Sequence, residues 1–266
     1  MSLANQSVAR ALQIMRVLAA SRESLGVREV ARVIGVSPSI AQRLISTLAD
    51  FGFAEQEPSR RYRVGVGAFA VGNAFLSGNT LARESLPELQ ALAERHHLNS
   101  YLGVLRGRSI VYLAAFQSSG PIAIKSAPGA ETWLHTTALG KAILAQMPLE
   151  EAARLLGAQP YKRLTPRTKI RFAPLAAELR AAKESGYAIS DEENLVGVYA
   201  IGAPVRDASG ATVAAISGAL ARHELSRAKL PGLCRLVREA AERISMRLGA
   251  APAPAPARHG PTQRRT

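Results

Sequence analysis

The chain has 266 residues, 47% hydrophobic and 20% charged, with 34 Lys+Arg against 20 Asp+Glu and a formal net charge of +14. That apolar content suits one large or two modest cores and argues against a disordered chain. A single cysteine, Cys234, excludes an internal disulfide and a cysteine-based zinc cluster. MSLANQSVAR has no apolar run behind a basic start, and no stretch approaches ~18 consecutive apolar residues, so a soluble cytoplasmic protein with no membrane contact is expected.

The charge is uneven in kind as well as in sign. Six of the cations are Lys and 28 are Arg. Arginine suits phosphate contacts, and a GC-rich genome produces the same bias. Residues 1–66 carry net +4, residues 67–250 net +7 and residues 251–266 net +3.

In chain order, residues 1–66 read as three helices and a hairpin. Apolar Val8, Ala11, Leu12, Met15, Leu18 and Ala19 recur at helical steps behind Ser7 as N-cap. Val27 to Ile34 forms a short second helix, ended by Gly35, which supplies the backbone freedom of a tight turn. Ser37-Pro38 is an N-cap followed by proline at the first helical position. The helix it starts runs to about Asp50 and is expected to bury Ile40, Leu44, Leu48 and Phe51. Its opposite face carries Ser39, Gln42, Arg43 and Ser46, so this is a helix-turn-helix with a polar, cationic front. Gln and Arg reach adenine and guanine edges bidentately, while Ser37, Ser39 and Ser46 suit phosphates. Phe53–Gln56 and Arg61–Val64, joined by Glu57-Pro58-Ser59-Arg60, make a wing whose Arg60, Arg61 and Arg63 are expected to straddle phosphates or the minor groove.

Val66 to Leu76 reads as a linker helix interrupted by Gly67 and Gly72, within a linker spanning 67–79. A longer helix from Thr80 to His97 contains Pro87, which should kink or split it. Residues 80–250 then give strands at Ser100–Leu105, Ser109–Phe116, Ile122–Lys125, Tyr187–Ser190, Ile201–Arg206 and Thr212–Leu220. Helices are expected at Thr137–Ala145, Glu150–Leu156, Phe172–Ser185 and Ser226–Leu248. Hairpin strands with helices grouped around them indicate an α+β domain on an antiparallel sheet. The tail 251–266, APAPAPARHGPTQRRT, reads as disordered.

Over residues 7–248 the chain resembles the IclR family of transcription regulators. The residues that carry the likeness are Ser7-Val8-Ala9-Arg10-Ala11-Leu12, Tyr62-Arg63-Val64-Gly65, Leu134-His135-Thr136-Thr137-Ala138-Leu139-Gly140-Lys141-Ala142 and Leu164-Thr165-Pro166-Arg167-Thr168. Gly186-Tyr187-Ala188-Ile189-Ser190-Asp191-Glu192-Glu193 and Gly197-Val198-Tyr199-Ala200-Ile201-Gly202-Ala203-Pro204 complete the order. The resemblance implies an N-terminal winged helix-turn-helix and a C-terminal GAF-like effector-binding domain. It also implies dimers or tetramers on palindromic double-stranded DNA operators, with affinity set by a small-molecule effector.

Carried over position by position, the effector site is walled by Ile124, Thr132, Ala138, Leu139, Gly140, Ser190, Val198, Ala200, Ser217 and Ala219. Thr136 or Thr137 caps a helix whose first free amides, at Ala138–Gly140, attract a carboxylate. Ser190 and Ser217 add hydroxyls, and a small organic acid is the expected effector. The family often has Cys where Ala200 stands and a second acidic residue where Ser190 stands, so two polar handles are missing.

No G-x-S-x-G elbow, phosphate-loop motif or H-E-x-x-H pair occurs, so no enzyme activity, cofactor or metal is expected. Asp191-Glu192-Glu193 reads as a solvated loop, His135 as structural, His96-His97 as a helix-end pair and Cys234 as core. A second class stays open: a small-molecule sensor or enzyme whose N-terminal domain makes protein contacts.

Overall fold

A computed structural model describes residues 5–119 and 127–252. The expected strand Ile122–Lys125, with Ile124, and the tail beyond residue 252 lie outside the described residues. The chain forms two compact units, 1–79 and 80–266.

The first unit contains α1 (Gln6–Ala20), α2 (Val27–Ile34), α3 (Pro38–Asp50), β1 (Ala54–Gln56), β2 (Tyr62–Val64) and α4 (Val66–Gly78). Ile14, Leu18, Val30, Ile45, Ala54 and Tyr62 form its core. Asn5, not Ser7, caps α1: its side chain accepts the amides of Ser7 and Val8. The buried stripe also differs from expectation. Ile14 and Leu18 are buried one turn apart, while Val8 and Leu12 stay 56% and 61% exposed. On α3 the buried residues are Ala41 and Ile45; Ile40, Leu44 and Leu48 are half-buried and Phe51 is exposed. Both helices carry apolar residues over a wider arc than so small a core covers. Gly67 and Gly72 do not interrupt α4, which buries none of its residues and leaves Val66, Phe69, Val71, Phe75 and Leu76 exposed.

The second unit begins with α5 (Thr80–His96), a single helix through Pro87. Its strands are β3 (Asn99–Arg106), β4 (Ser109–Phe116), β5 (Glu131–Trp133), β6 (Ala188–Asp191), β7 (Val198–Arg206) and β8 (Thr212–Ala221). Its further helices are α6 (Ala138–Leu144), α7 (Leu149–Leu156), α8 (Phe172–Ser185) and α9 (Leu230–Arg247). The sheet has order β5-β4-β3-β8-β7-β6, every neighbouring pair antiparallel. The short β5 escaped the sequence reading because three residues show no alternation.

Two cores cover the two faces of this sheet. On one face Leu89 and Leu92 of α5 and Cys234, Val237, Ala241 and Ile244 of α9 pack on Leu102, Ile201, Val205 and Ile216. On the other, Leu139 and Ile143 of α6, Leu156 of α7 and Leu175 and Leu179 of α8 pack on Tyr101, Ile110, Ala215 and Ala219. β8 is therefore an almost uninterrupted buried run, as a strand covered on both faces should be. Gly202 of β7 lets the start of α6 lie directly on the sheet, since a Cβ there would stand 2.5 Å from the Ala138 carbonyl oxygen. Gly140 lets α6 close on the segment after β5, where a Cβ would stand 2.3 Å from the Leu134 carbonyl oxygen. No helix among the described residues is long and apolar enough to cross a membrane.

Glu88 ties α5 to α9 through Arg243 and Arg247, each at 2.8 Å. Burial pushes its carboxyl up, but the two guanidiniums outweigh this and hold it below the usual carboxylate range. Glu178 is lowered in the same way, burial being overcome by Lys141 and Lys169. A folded value below the unfolded one gives stability that is present above the unfolded pKa and is lost as pH falls through the folded one. The urea midpoint should thus hold down to about pH 5 and drop below about pH 4. A midpoint unchanged through that acid window would contradict these clamps.

Candidate functional site

On α3 the Ser37 hydroxyl accepts the Ile40 amide at 3.4 Å and lies 3.0 Å from the Ser39 hydroxyl. Pro38 occupies the first turn. Opposite the buried Ala41 and Ile45, the side chains of Ser39, Gln42 and Arg43 are exposed and Ser46 is half-buried. Gln42 is not free: its Nε2 donates to Ser46 Oγ at 3.0 Å and to the Tyr62 hydroxyl at 3.1 Å. Arg43, by contrast, has no side-chain hydrogen bond or ion pair among the described residues.

The wing arginines divide into two kinds. Arg60 sits at the tip with φ 60° and an unpaired side chain among the described residues. Arg61 turns inward, donating to the Ser24 carbonyl at 2.8 Å and to Glu29 at 2.9 Å. Arg63 faces Glu55 directly across the hairpin and pairs with it at 3.1 Å, with Glu57 at 3.9 Å. The expectation that all three straddle phosphates therefore changes. Arg61 fastens the wing to α2, whose Glu29 also accepts the Gly26 amide, and Arg63 is charge-compensated on the hairpin. Hairpin register alone places Glu55 opposite Arg63, a signal the sequence reading passed over.

In the second unit a cavity opens beside the start of α6, with about 450 Å³ of empty space including its mouth. Seven of the expected effector residues line it: Ala138, Leu139, Ser190, Val198, Ala200, Ser217 and Ala219. Two do not. Gly140 is packed against the Leu134 backbone, and Thr132 pairs with Ile110 on the edge strand β5. Five lining residues were missed: Tyr101, Tyr112, Thr137, Asn194 and Leu195. Strand register carries a signal for the first of these, because Tyr101 stands directly across from Ser217. The two tyrosine rings lie 5.4 Å apart.

The polar groups here have distinct duties. Thr137 is the cap of α6, accepting the Gly140 amide at 3.1 Å and donating to the Trp133 carbonyl at 2.8 Å. Thr136 donates to Asn194 Oδ1 at 2.8 Å. Ser190 spends its proton on the Thr136 carbonyl at 2.6 Å, so it braces the wall rather than offering a donor. Ser217 Oγ has no hydrogen-bond partner among the described residues. Burial, and next the neighbouring Tyr112, push the Tyr101 phenol up, so it remains protonated.

Behind this wall lies a buried ion network. Lys141 Nζ, on α6, donates to Glu178 at 2.5 Å, to Glu193 at 2.6 Å and to the Ile189 carbonyl at 2.9 Å. Lys169 joins both carboxylates, at 2.8 and 3.0 Å. Asp191-Glu192-Glu193 is thus not a solvated loop. Glu193 is 1% exposed, Asp191 pairs with Arg167 and Arg222, and Glu192 pairs with Arg167. No cluster of side chains suited to a metal ion occurs among the described residues.

The "Bacterial transcriptional regulator IclR C-terminal" family matches residues 73–246, and the "IclR helix-turn-helix domain" matches residues 7–58. The HTH-type transcriptional regulator BhcR of Paracoccus denitrificans (strain Pd 1222) is 32% identical over 237 residues, 89% of this chain and 85% of that protein. A crystal structure of a transcriptional regulator from Rhodococcus sp. RHA1 is 27% identical and superposes with a TM-score of 0.81, covering 92% of this chain and 98% of that one. A structure of an IclR homolog from Microbacterium hydrocarbonoxydans, complexed with 4-hydroxybenzoate, shares the fold at TM-score 0.80 and 20% identity, covering 92% of this chain and all of that one.

Proposed function

The chain belongs to the IclR family of bacterial transcriptional regulators, and on that premise we propose that α3 reads a palindromic operator in the major groove under control of an organic acid. The observation that carries this reading is Arg43. Among the described residues it is an unpaired guanidinium, on the exposed face of a helix capped by Ser37 and held from behind by Ala41 and Ile45. Gln42 contributes through its remaining acceptor, Ser37, Ser39 and Ser46 through phosphate contacts, and Arg60 through the backbone beside the wing. Arg61 and Arg63 shape the wing that presents Arg60. Reading a palindrome requires two copies, and the apolar side chains that α4 leaves exposed suit a homodimer contact, with a tetramer as its doubling. In this reading the protein acts on chromosomal DNA in the cytoplasm.

The effector occupies the cavity beside α6. With Ala200 and Ser190 in place of more polar groups, and with Tyr101 and Tyr112 on the sheet side, the cavity suits an aromatic acid. Its carboxylate meets the Ala138 and Leu139 amides and the Ser217 hydroxyl. The Microbacterium homolog of the same fold holds such an acid, 4-hydroxybenzoate. Calorimetry with 4-hydroxybenzoate and related acids tests the placement. Leu139→Trp should fill the cavity and abolish binding of any acid the wild type takes up there. Unchanged affinity in that variant would rule the placement out.

A further inference from the structure

A second cavity in the same unit shares no lining residue with the first and has about 560 Å³ of empty space including its mouth. Its floor is buried: Leu156 closes α7, and His135 and Tyr161 are 3% and 7% exposed. Trp133 of β5, Arg108 of the β3–β4 turn and Lys162 form an exposed rim. Three aromatic rings run in succession along its wall. Trp133 and His135 are 5.9 Å apart edge to face, and His135 and Tyr161 are 5.3 Å apart.

The charges are one-sided. None of the described residues lining this cavity is acidic. Lys162 Nζ stands 5.2 Å from the centre of the Trp133 ring, and one Arg108 nitrogen donates to the Leu156 carbonyl, which fixes the guanidinium at the mouth. His135 Nε2 lies 2.9 Å from the Lys162 carbonyl, which can only accept, so that nitrogen carries the proton. Burial holds the ring neutral by lowering its pKa, which leaves Nδ1 as an acceptor. The Tyr161 hydroxyl has no hydrogen-bond partner among the described residues. Burial pushes its phenol up against the opposing pull of Arg108, so it remains a donor.

We propose that this cavity is a second ligand site, taking an aryl carboxylate whose ring stacks among Trp133, His135 and Tyr161 and whose carboxylate meets Lys162, Arg108 and the Tyr161 hydroxyl. A bare inorganic anion would leave the aromatic wall and Leu156 uncovered. A neutral arene would leave two cations without a counter-charge and the phenol without an acceptor. The site is independent of the effector placement beside α6.

Trp133 is the single tryptophan of the chain, so its fluorescence reports directly on this cavity. The full-length protein is titrated with sodium benzoate, with benzyl alcohol as neutral control and sodium sulfate as inorganic control. Benzoate should change the fluorescence saturably, and neither control should. Lys162→Glu, at an exposed position, should weaken benzoate by about tenfold or more, as loss of one charge-assisted contact does; Lys162→Arg should preserve it. Ala200→Leu, which narrows the other cavity, should leave the fluorescence titration unchanged even if it removes a second calorimetric site. The proposal is overturned by absence of a saturable change, by an equal response to benzyl alcohol or sulfate, by indifference to Lys162→Glu, or by loss of the response in Ala200→Leu.

Discussion

Replacing Lys141 with Met is expected to destabilise the second unit by about 3–5 kcal/mol, because it removes the fully buried partner of Glu193 and leaves that carboxylate only the partly exposed Lys169. Lys141 and Glu193 are each 1% exposed in their side chains and lie 2.6 Å apart. Glu193 Oε2 is already without a hydrogen-bond partner among the described residues, so its charge depends on Lys141 and on Lys169 at 3.0 Å. Urea unfolding of the full chain reads this loss in the transition of the second unit. A change below about 1 kcal/mol would show that the pair contributes no more than a surface bridge. The double variant Lys141→Met with Glu193→Leu should recover much of the stability, because apolar replacement of a whole buried pair is far less costly than breaking it. The consequence reaches the cavity. Lys141 lies one turn past Ala138, and Glu193 immediately precedes Asn194 and Leu195, so one network anchors two of its walls. Lys141→Met should accordingly weaken any acid bound there.

Arg43→Ala is expected to weaken operator binding by about 1–3 kcal/mol, the loss of a bidentate guanine contact. Its affinity for unrelated duplex should change little. Arg60→Ala should act differently, lowering affinity for all sequences alike and reducing the salt dependence by about one counterion. Arg61→Ala removes the ties to Ser24 and Glu29, so it should loosen the wing and shift the first unit's melting rather than alter base preference. Competition binding at fixed salt separates the three. An Arg43→Ala protein that binds the operator like the wild type would remove α3 from the reading role.

Much of this was legible in local pattern, and the rest required the fold. Ser37-Pro38 announced α3 because capping is a property of neighbouring residues. The hairpin strands of the second unit were visible for the same reason, as short apolar runs such as Ser109–Phe116 and Thr212–Leu220. Burial was less legible. Val8, Leu12 and Phe51 fit an apolar stripe, yet they remain exposed because the first unit's core ends at Ile14, Leu18 and Ile45. Pairing across distance was least legible. Arg61 meets Glu29 from 32 residues away, and Lys141 meets Glu193 from 52. An acidic run looks solvated until the fold supplies its cations. The +14 balance had the same weakness, since only +4 lies in residues 1–66. Within that segment Arg61 and Arg63 are tied to carboxylates, leaving Arg43 and Arg60 as the informative charges on α3 and the wing tip.

The most direct measurement selects duplexes bound by the full-length protein from a random pool, in parallel with the Arg43→Ala protein. The expected consensus is two-fold symmetric, with half-sites about one or two helical turns apart. At one symmetric pair of positions, Arg43→Ala should lose its preference for guanine. No enrichment, or a consensus that Arg43→Ala reproduces unchanged, would contradict sequence reading by α3.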